Sequence, residues 1–216
     1  SVLLGMFQWT NYWDFVIYFV VTGAVVLFSN IILFQGRWKW ILAVTAAQAA
    51  EIFIIATIVI MPFTLQFETM VQGVALAQNH SMIHQLLILW GLPAALVISF
   101  VIILLVQKLG TAEKKTPYHF LASLKIPDMF AVIMGLCALG LVLIRELVYV
   151  RDIYENGSAR ANTMFKLTYQ AYIMFAMTMA YVIFRFIAVF RKKILKAAGG
   201  TALFLLICTW GYFGNS

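Results

Sequence analysis

Long runs of apolar residues, separated by short polar segments, dominate the chain. Five runs have the roughly 20 mainly apolar residues that a membrane-spanning helix needs, and a sixth run is shorter and weaker. Alternation with a period of two, which is typical of strands that bury one face, is absent from these runs, so strands are not expected in them. The predicted spans are 15–34, 40–61, 83–106, 129–149, 167–190 and the weaker 201–213.

The pattern therefore predicts an all-α polytopic transmembrane helix bundle of about six spans, forming one domain over residues 1–216. The chain opens abruptly on Ser1 and ends just after an apolar run. This suggests a fragment of a larger membrane protein, with a lipid bilayer as its immediate surroundings.

Composition supports a membrane protein and argues against a nucleic-acid binder. The chain is 64% hydrophobic and 11% charged, whereas soluble domains are about half apolar and a quarter charged. A net charge of +7 would suggest nucleic acid in a soluble chain, but basic cytoplasmic loops explain it here. Cys137 and Cys208 lie in apolar runs without metal-ligand spacing, so we expect small core residues rather than a disulfide.

The basic residues concentrate in alternate loops. By the positive-inside rule these loops are cytoplasmic. Segments 1–14, 62–82 and 150–166 and the C-terminal tail then face outward, which predicts a multi-pass protein of the cell membrane with extracytoplasmic polar loops. Ten of the fifteen basic residues carry this argument: Arg37, Lys39, Lys108, Lys114, Lys115, Lys125, Arg191, Lys192, Lys193 and Lys196.

Glu51 lies in the middle of a predicted span, after "AAQAA". A charge at this depth is expected to face protein or a water-filled cavity. Gln48 lies one turn earlier on a similar face. Glu51 is either a proton-linked functional group or a buried, neutral hydrogen-bonding residue. Five further acidic residues lie at or near the predicted outer side: Asp14, Glu68, Glu146, Asp152 and Glu155.

The first outer stretch, "FQWTNYWDF", surrounds one carboxylate with aromatic residues. Asp14 begins a span and is flanked by Trp9, Tyr12 and Trp13. One interpretation is an aromatic belt at the membrane interface, with Asp14 capping a helix. The other is a pocket wall, in which the aromatic faces stack on sugar or lipid groups while the carboxylate accepts hydroxyl protons.

The second outer stretch is "PFTLQFETMVQGVALAQNHSMIHQ". Pro62 is expected to end a helix and Gly73 to permit a turn. Residues 63–68, which end in Glu68, alternate between apolar and polar, as in an extended segment on the outer surface. His80 and His84 could hold a metal ion if both lie on one helix, but no third ligand is nearby, so ordinary surface or hydrogen-bonding histidines are the simpler interpretation.

The third outer stretch, "IRELVYVRDIYENGSARANTMFK", is rich in both signs of charge. Arg145 and Glu146 lie inside the end of an apolar span, where charges are costly unless they are paired or face a cavity. One interpretation is a salt-bridge network that ties down the outer loop.

The alternative for the third stretch is an anion site. Arg160 and Lys166 would contact phosphate oxygens, and a helix beginning near Asn162 would add backbone N–H groups and its dipole. Asp152 would then orient a hydroxyl group or act as a base. A phosphate-bearing lipid suits this depth.

These motifs resemble a known family. "ELVYVRDIYENGSARANTMFKLTYQAY" is similar to the pattern E-x-x-Y-x-x-D, a short loop, then R-M-N-T-V-F-K-x-Y-x-Q-A-W, of the YYY-type polytopic membrane proteins of bacteria and archaea, which have no known function. "TNYWDFVIY" is similar to that family's N-T-W-D-F-P-T-Y, and the segment after Pro62 also matches. Ala161 replaces Met, Tyr172 replaces Trp and Val16 replaces Pro. The residues that match in the longest motif are Glu146, Tyr149, Asp152, Arg160, Asn162, Thr163, Phe165, Lys166, Gln170 and Ala171.

The resemblance implies a function. The YYY-type family is thought to resemble the GT-C glycosyltransferases, multi-span enzymes that transfer a sugar from a polyprenyl-phosphate donor on the outer side of the membrane. For a transferase of this type, Asp14 and Asp152 are the candidate catalytic residues of this chain. The principal base of that fold would precede Ser1, and a divalent cation is compatible with the chemistry. The implied substrate-binding residues are Trp13, Glu68, Glu146, Arg151, Arg160, Asn162, Lys166 and Gln170.

Two other function classes stay open. A transporter or flippase of lipid-linked cargo would use Glu51 and Gln48, although the spans show no inverted repeat. A non-catalytic scaffold subunit would bind a second membrane protein.

Overall fold

The computed structural model describes residues 1–66, 73–109, 116–151 and 159–214. Within these ranges the chain is an all-α polytopic bundle, and five helices are long and apolar enough to cross a membrane. These helices are α2 (Tyr12–Leu33), α3 (Trp38–Thr64), α4 (Ile83–Leu109), α6 (Ile126–Leu147) and α7 (Ala161–Phe184), which continues through a π-helical turn (Arg185–Val189).

Three further helices and two strands complete the described chain. Helix α1 (Val2–Thr10) precedes the first span, α5 (Pro117–Ser123) lies between α4 and α6, and α8 (Lys193–Gly214) follows the π-helical turn. Two short strands, β1 (Val74–Leu76) and β2 (Val148–Val150), also occur. The predicted sixth span, 201–213, lies within α8, which is not one of the five candidate spans.

The sequence signals explain several helix starts. The side chain of Asn11 accepts a hydrogen bond from the backbone N–H of Trp13 at 3.4 Å and so caps α2. Thr116 caps α5 in the same way, and Pro117 occupies the first helical position, where a missing N–H costs no hydrogen bond.

Three expectations about local structure were wrong. Residues 1–14 were expected to form a loop, but most of them form α1, because Leu4 and Gly5 are buried against α3. Pro62 was expected to end a helix, but it lies within the last turn of α3, which continues for two residues to Thr64. The span predicted to reach residue 149 ends at Leu147, where the chain turns into β2.

The two strands form a small antiparallel sheet at one end of the bundle. Val74 pairs with Val150, and Leu76 pairs with Val148. The backbone N–H of Arg151 donates to the carbonyl of Gly73 at 2.9 Å, which extends the ladder by one bond. Gly73 has φ +127°, a conformation that glycine adopts without a steric penalty. The sheet joins the segment before α4 to the segment after α6.

The chain alternates between two ends of the bundle. We call the end that carries β1 and β2 the sheet end; α2, α4 and α7 begin there, and α3 and α6 finish there. We call the opposite end the basic end, because Arg37, Lys39 and Lys125 lie there. The polar loops predicted to face outward, where the structure describes them, gather at the sheet end.

The main core lies between α2, α4, α6 and α7. Its fully buried side chains include Val97 of α4, Ala138 of α6 and Met174 and Phe175 of α7. Gly135 allows α6 to approach α4 closely, because a Cβ atom there would lie 2.8 Å from both methyl groups of Val97. Helix α7 is therefore held on two sides along most of its length.

Candidate functional site

A polar cluster links α2 to α7 near the sheet end. Gln170 donates a hydrogen bond from Nε2 to Asp14 Oδ1 at 2.7 Å, and Tyr18 donates from its hydroxyl to Gln170 Oε1 at 2.8 Å. Asn11 donates from Nδ2 to the same Asp14 oxygen at 3.0 Å. We call Asn11, Asp14, Tyr18 and Gln170 the carboxylate–amide cluster. Both the oxygen and the nitrogen of the Gln170 amide are hydrogen-bonded, which satisfies this polar side chain inside an apolar helix.

The start of α2 places Asp14 for these contacts. Asn11 is the cap residue of the helix and Asp14 lies in its first turn, where the positive end of the helix dipole favours a carboxylate. Thus Asn11, rather than Asp14, caps the helix. Both donors reach Oδ1, whereas Oδ2 has no hydrogen bond within the described residues. The carboxylate is half-buried. Its orientation is set through one oxygen while the other is available.

Lys166 lies on the same face of α7 as Gln170, one turn closer to the sheet end. Its side chain is half-buried, and no hydrogen bond or ion pair joins it to the described part of the chain. Phe165 and Tyr169 beside it are exposed, with ring centroids 6.4 Å apart. Trp13 is half-buried against the main core. This face of α7 therefore combines an available cation with aromatic surface.

A second cluster surrounds Glu146. Ser81 donates to this carboxylate twice, from its backbone N–H to Oε2 at 2.9 Å and from its hydroxyl to Oε1 at 2.8 Å. Arg160 donates from Nη2 to Oε2 at 2.9 Å, and Arg145 Nε lies 3.6 Å from Oε1. We call Ser81, Arg145, Glu146 and Arg160 the ion-pair cluster. The carboxylate joins the chain before α4, the end of α6 and the start of α7.

Arg160 directs its donors mainly to protein atoms. Besides Glu146, its guanidinium donates to the backbone carbonyl of Arg145 at 2.7 Å and to the backbone carbonyl of Asn79. Its Nε is buried and has no partner among the described residues. Arg160 thus holds the start of α7 against the neighbouring segments.

Arg145 is buried inside the end of α6. It donates from Nη1 to the hydroxyl of Thr168 at 2.5 Å, and its guanidinium lies 5.6 Å from the centre of the Trp90 ring. A cation over an aromatic face in a desolvated site contributes about 2 kcal/mol. Together these contacts satisfy a charge that would otherwise be costly at this depth.

Not every predicted site residue joins these two clusters. Arg151 follows β2 at the sheet end with its side chain exposed, and Asn162 is half-buried at the second position of α7. Glu68 and Asp152 lie outside the described residues, as does Glu155. The structure thus brings together Asp14 with Gln170, and Glu146 with Arg160.

His80 and His84 do not lie on one helix. His80 precedes α4, and its Nδ1 lies 2.8 Å from the backbone carbonyl of Glu146, whereas His84 is exposed in the first turn of α4. In the described ranges no group of three His, Cys, Asp or Glu side chains comes close enough to hold a metal ion.

A buried polar cluster at the basic end was not predicted from the sequence. Arg185 donates from Nη2 to Asp128 Oδ2 at 2.8 Å, and Tyr181 donates from its hydroxyl to Oδ1 at 2.7 Å. Asp128 is only 1% exposed. The available signal was an aspartate directly after Pro127 at a span start, together with an arginine inside the apolar run 167–190. Each such charge requires a partner in a membrane.

Glu51 does not face protein within the described chain. It is exposed on α3 and makes no hydrogen bond or ion pair to a described residue. Gln48 is used instead, because its Oε1 accepts a hydrogen bond of 2.7 Å from Asn30, which also donates to Thr45 at 3.0 Å. Asn30, 3% exposed, thereby joins α2 to α3.

Comparison with known proteins places the chain in a family. Residues 1–127 and 119–175 match the family described as "Uncharacterized membrane protein (DUF2298)". The chain belongs to the DUF2298 family. The matched regions contain every residue of the carboxylate–amide and ion-pair clusters, whereas Tyr181 and Arg185 lie beyond them. No curated protein and no solved structure matches the DUF2298 chain. Its membership shows a membrane protein of an uncharacterised family.

Proposed function

We propose that the chain is a GT-C-type membrane glycosyltransferase, or part of one, that uses a polyprenyl-phosphate-linked sugar at the extracytoplasmic face. The sheet end of the bundle would bind the donor. One observation carries the proposal: a carboxylate held through a single oxygen, and a lysine without a partner among the described residues, both lie where α2 meets α7.

Lys166 supports recognition of the phosphate. It lies about 8 Å along α7 from Ala161, at a rise of roughly 1.5 Å per residue, which corresponds to the depth of lipid headgroups rather than the bilayer centre. An ammonium group that no described residue engages is available to a phosphate oxygen. Phe165 and Tyr169 would contact the sugar or the first prenyl units.

Asp14 supports the chemical step. Its Oδ2 would accept the proton of an acceptor hydroxyl as that oxygen forms a bond to the anomeric carbon of the sugar. The bond between this carbon and the phosphate oxygen breaks, and the lipid phosphate leaves with the electron pair. Lys166 would stabilise the negative charge that develops on the leaving phosphate. Gln170 and Asn11 would keep the carboxylate oriented without touching the substrate.

The other predicted site residues would act around this pair. Glu146 and Arg160 would position the start of α7, with Asn162 beside them. Arg151 would act at the end of β2, and Asp152, the next residue in the sequence, is a second candidate base. Trp13 would line the donor site, and Glu68, which lies between α3 and β1 in the sequence, is a further candidate for donor binding. The GT-C assignment itself depends on the resemblance to the YYY-type family.

Binding of a polyprenyl phosphate to the purified chain in nanodiscs tests the proposal. Wild type should bind saturably, and Lys166→Met should weaken binding by roughly 10-fold or more, since a charged hydrogen bond contributes about 1.5–3 kcal/mol. Lys125→Met, which removes an exposed lysine at the basic end, is the matched control and should bind normally. Asp14→Asn should bind the lipid and fail in transfer from a donor.

Two outcomes would overturn this function. A folded wild type that does not bind the lipid would favour the non-catalytic scaffold. Equal binding by wild type and Lys166→Met would remove the proposed phosphate contact. Arg160→Met should be measured beside them, with its unfolding, because it also breaks the bonds that hold α7 to Glu146.

A further inference from the structure

The middle of α3 carries a carboxylate that the described chain leaves without a partner. Glu51 is the central residue of α3 (Trp38–Thr64), so each end of the helix is about 20 Å away at a rise of roughly 1.5 Å per residue. Half of the hydrocarbon core of a bilayer is about 15 Å thick. The glutamate side chain is too short to reach the headgroups from this depth, and a lipid-facing carboxylate there is unfavourable.

The surface around Glu51 has the form of a helix-packing face. Exposed residues recur along α3 at alternating intervals of three and four from Trp40 to Met61, and three of these seven residues, Ala43, Ala47 and Ala50, are alanines. Among the five candidate spans, helix α3 is the least covered by the rest of the described chain, with 11% of its most apolar stretch buried. Small residues at such spacing let two membrane helices approach closely. We call this surface the α3 face, and it consists of Trp40, Ala43, Ala47, Ala50, Glu51, Ile54, Thr57 and Met61.

We propose that the α3 face binds a transmembrane helix of a partner membrane protein that presents a basic side chain to Glu51 at the bilayer midplane. The charge of the face selects this occupant. Glu51 is the titratable residue of the α3 face, so a second copy of the chain packed on it in parallel would place two carboxylates together. A cationic helix would instead form an ion pair in a medium where an unpaired carboxylate is costly. The partner needs small residues opposite Ala47 and Ala50.

Site-specific photocrosslinking in the native membrane tests the interface. A photoreactive residue replaces Ala47 on the α3 face, and a matched one replaces Ile102, which is 52% exposed on α4. The Ala47 position should give an adduct with a membrane-spanning peptide that contains Lys, Arg or His. The yield should fall several-fold in Glu51→Leu and remain in Glu51→Asp, while Ile102 should give lipid adducts alone.

Several results would overturn this partner. They are an adduct with a second copy of the chain, lipid adducts alone at both positions, and a yield that Glu51→Leu leaves unchanged. A folding defect would not explain a loss, because the described chain makes no bond to Glu51, and the melting temperature of purified Glu51→Leu should equal or exceed that of wild type. A lowered melting temperature would show that Glu51 serves the chain internally and would contradict the proposal.

Discussion

Gln170 shows how one side chain satisfies polar groups on two helices. Its amide donates to Asp14 and accepts from Tyr18, so each of the three polar groups has a hydrogen-bond partner in place of water. Arg145 is satisfied in a different way, by Thr168 and by the ring of Trp90. Polar residues at these depths are thus arranged in complementary sets, and losing one member leaves another unpaired.

Gln170→Leu should destabilise the protein. The substitution deprives the Tyr18 hydroxyl of its acceptor and Asp14 of one donor. Such a loss costs roughly 1–3 kcal/mol for buried groups, and less in a membrane, where the unfolded chain also finds hydrogen-bond partners. The free energy of unfolding in mixed detergent micelles measures this change. Tyr172→Leu is the control on the same helix, because Tyr172 is 62% exposed and should change stability little. Equal effects of the two substitutions would contradict the role of Gln170.

At the scale of the elements, a glycine allows helices of the main core to pack closely. Gly135 of α6 faces Val97 of α4 and Thr178 of α7, so three helices meet at a position without a side chain. Interiors packed at this density tolerate an added methyl group poorly. A larger residue at this position would therefore push α6 away from α4 and α7.

Gly135→Ala should therefore destabilise the bundle, although alanine is the better helix former. The new methyl group would lie 2.8 Å from the methyl carbons of Val97 and 3.2 Å from Thr178 Cγ2, which costs about 1–3 kcal/mol. Gly140→Ala on the same helix is the matched control, since a Cβ added there would meet no described atom within 4 Å, and stability should rise by up to about 1 kcal/mol. Thermal unfolding compares the two. Val97→Ala should restore the stability of Gly135→Ala, and a failure to do so would place the strain elsewhere.

The two ends of the molecule differ in their connecting segments. Within the described residues, the basic connections that contain Arg37, Lys39 and Lys125 lie at one end and the short sheet at the other, with the candidate site near the sheet. The positive-inside rule then predicts that the sheet end is extracytoplasmic. This orientation is also what the proposed sugar transfer requires.

Cysteine accessibility in intact cells checks the orientation. With Cys137 and Cys208 replaced by alanine, Gln78→Cys should react with a membrane-impermeant maleimide added outside, since Gln78 is exposed at the sheet end. Ser123→Cys, exposed at the end of α5, should react only after the membrane is opened. The reverse labelling pattern would refute the sidedness and the extracytoplasmic site together.

By itself the sequence determined the helices and the depth of the polar residues. Runs of about 20 apolar residues satisfy their own backbone hydrogen bonds as helices, so length and composition suffice to locate spans such as Ile83–Lys108. The same runs made Arg145, Glu146 and Glu51 stand out, because a charge in an apolar run is costly wherever the helix packs.

Only the tertiary structure decided which polar residues meet. Asp14 and Gln170 are far apart along the chain, and their contact depends on how α2 packs against α7. The pairing of Asp128 with Arg185 and the exposed position of Glu51 on α3 likewise follow from helix rotation and neighbours. Apolar spans carry little information about these angles, since a lipid-facing side resembles a protein-facing side in composition.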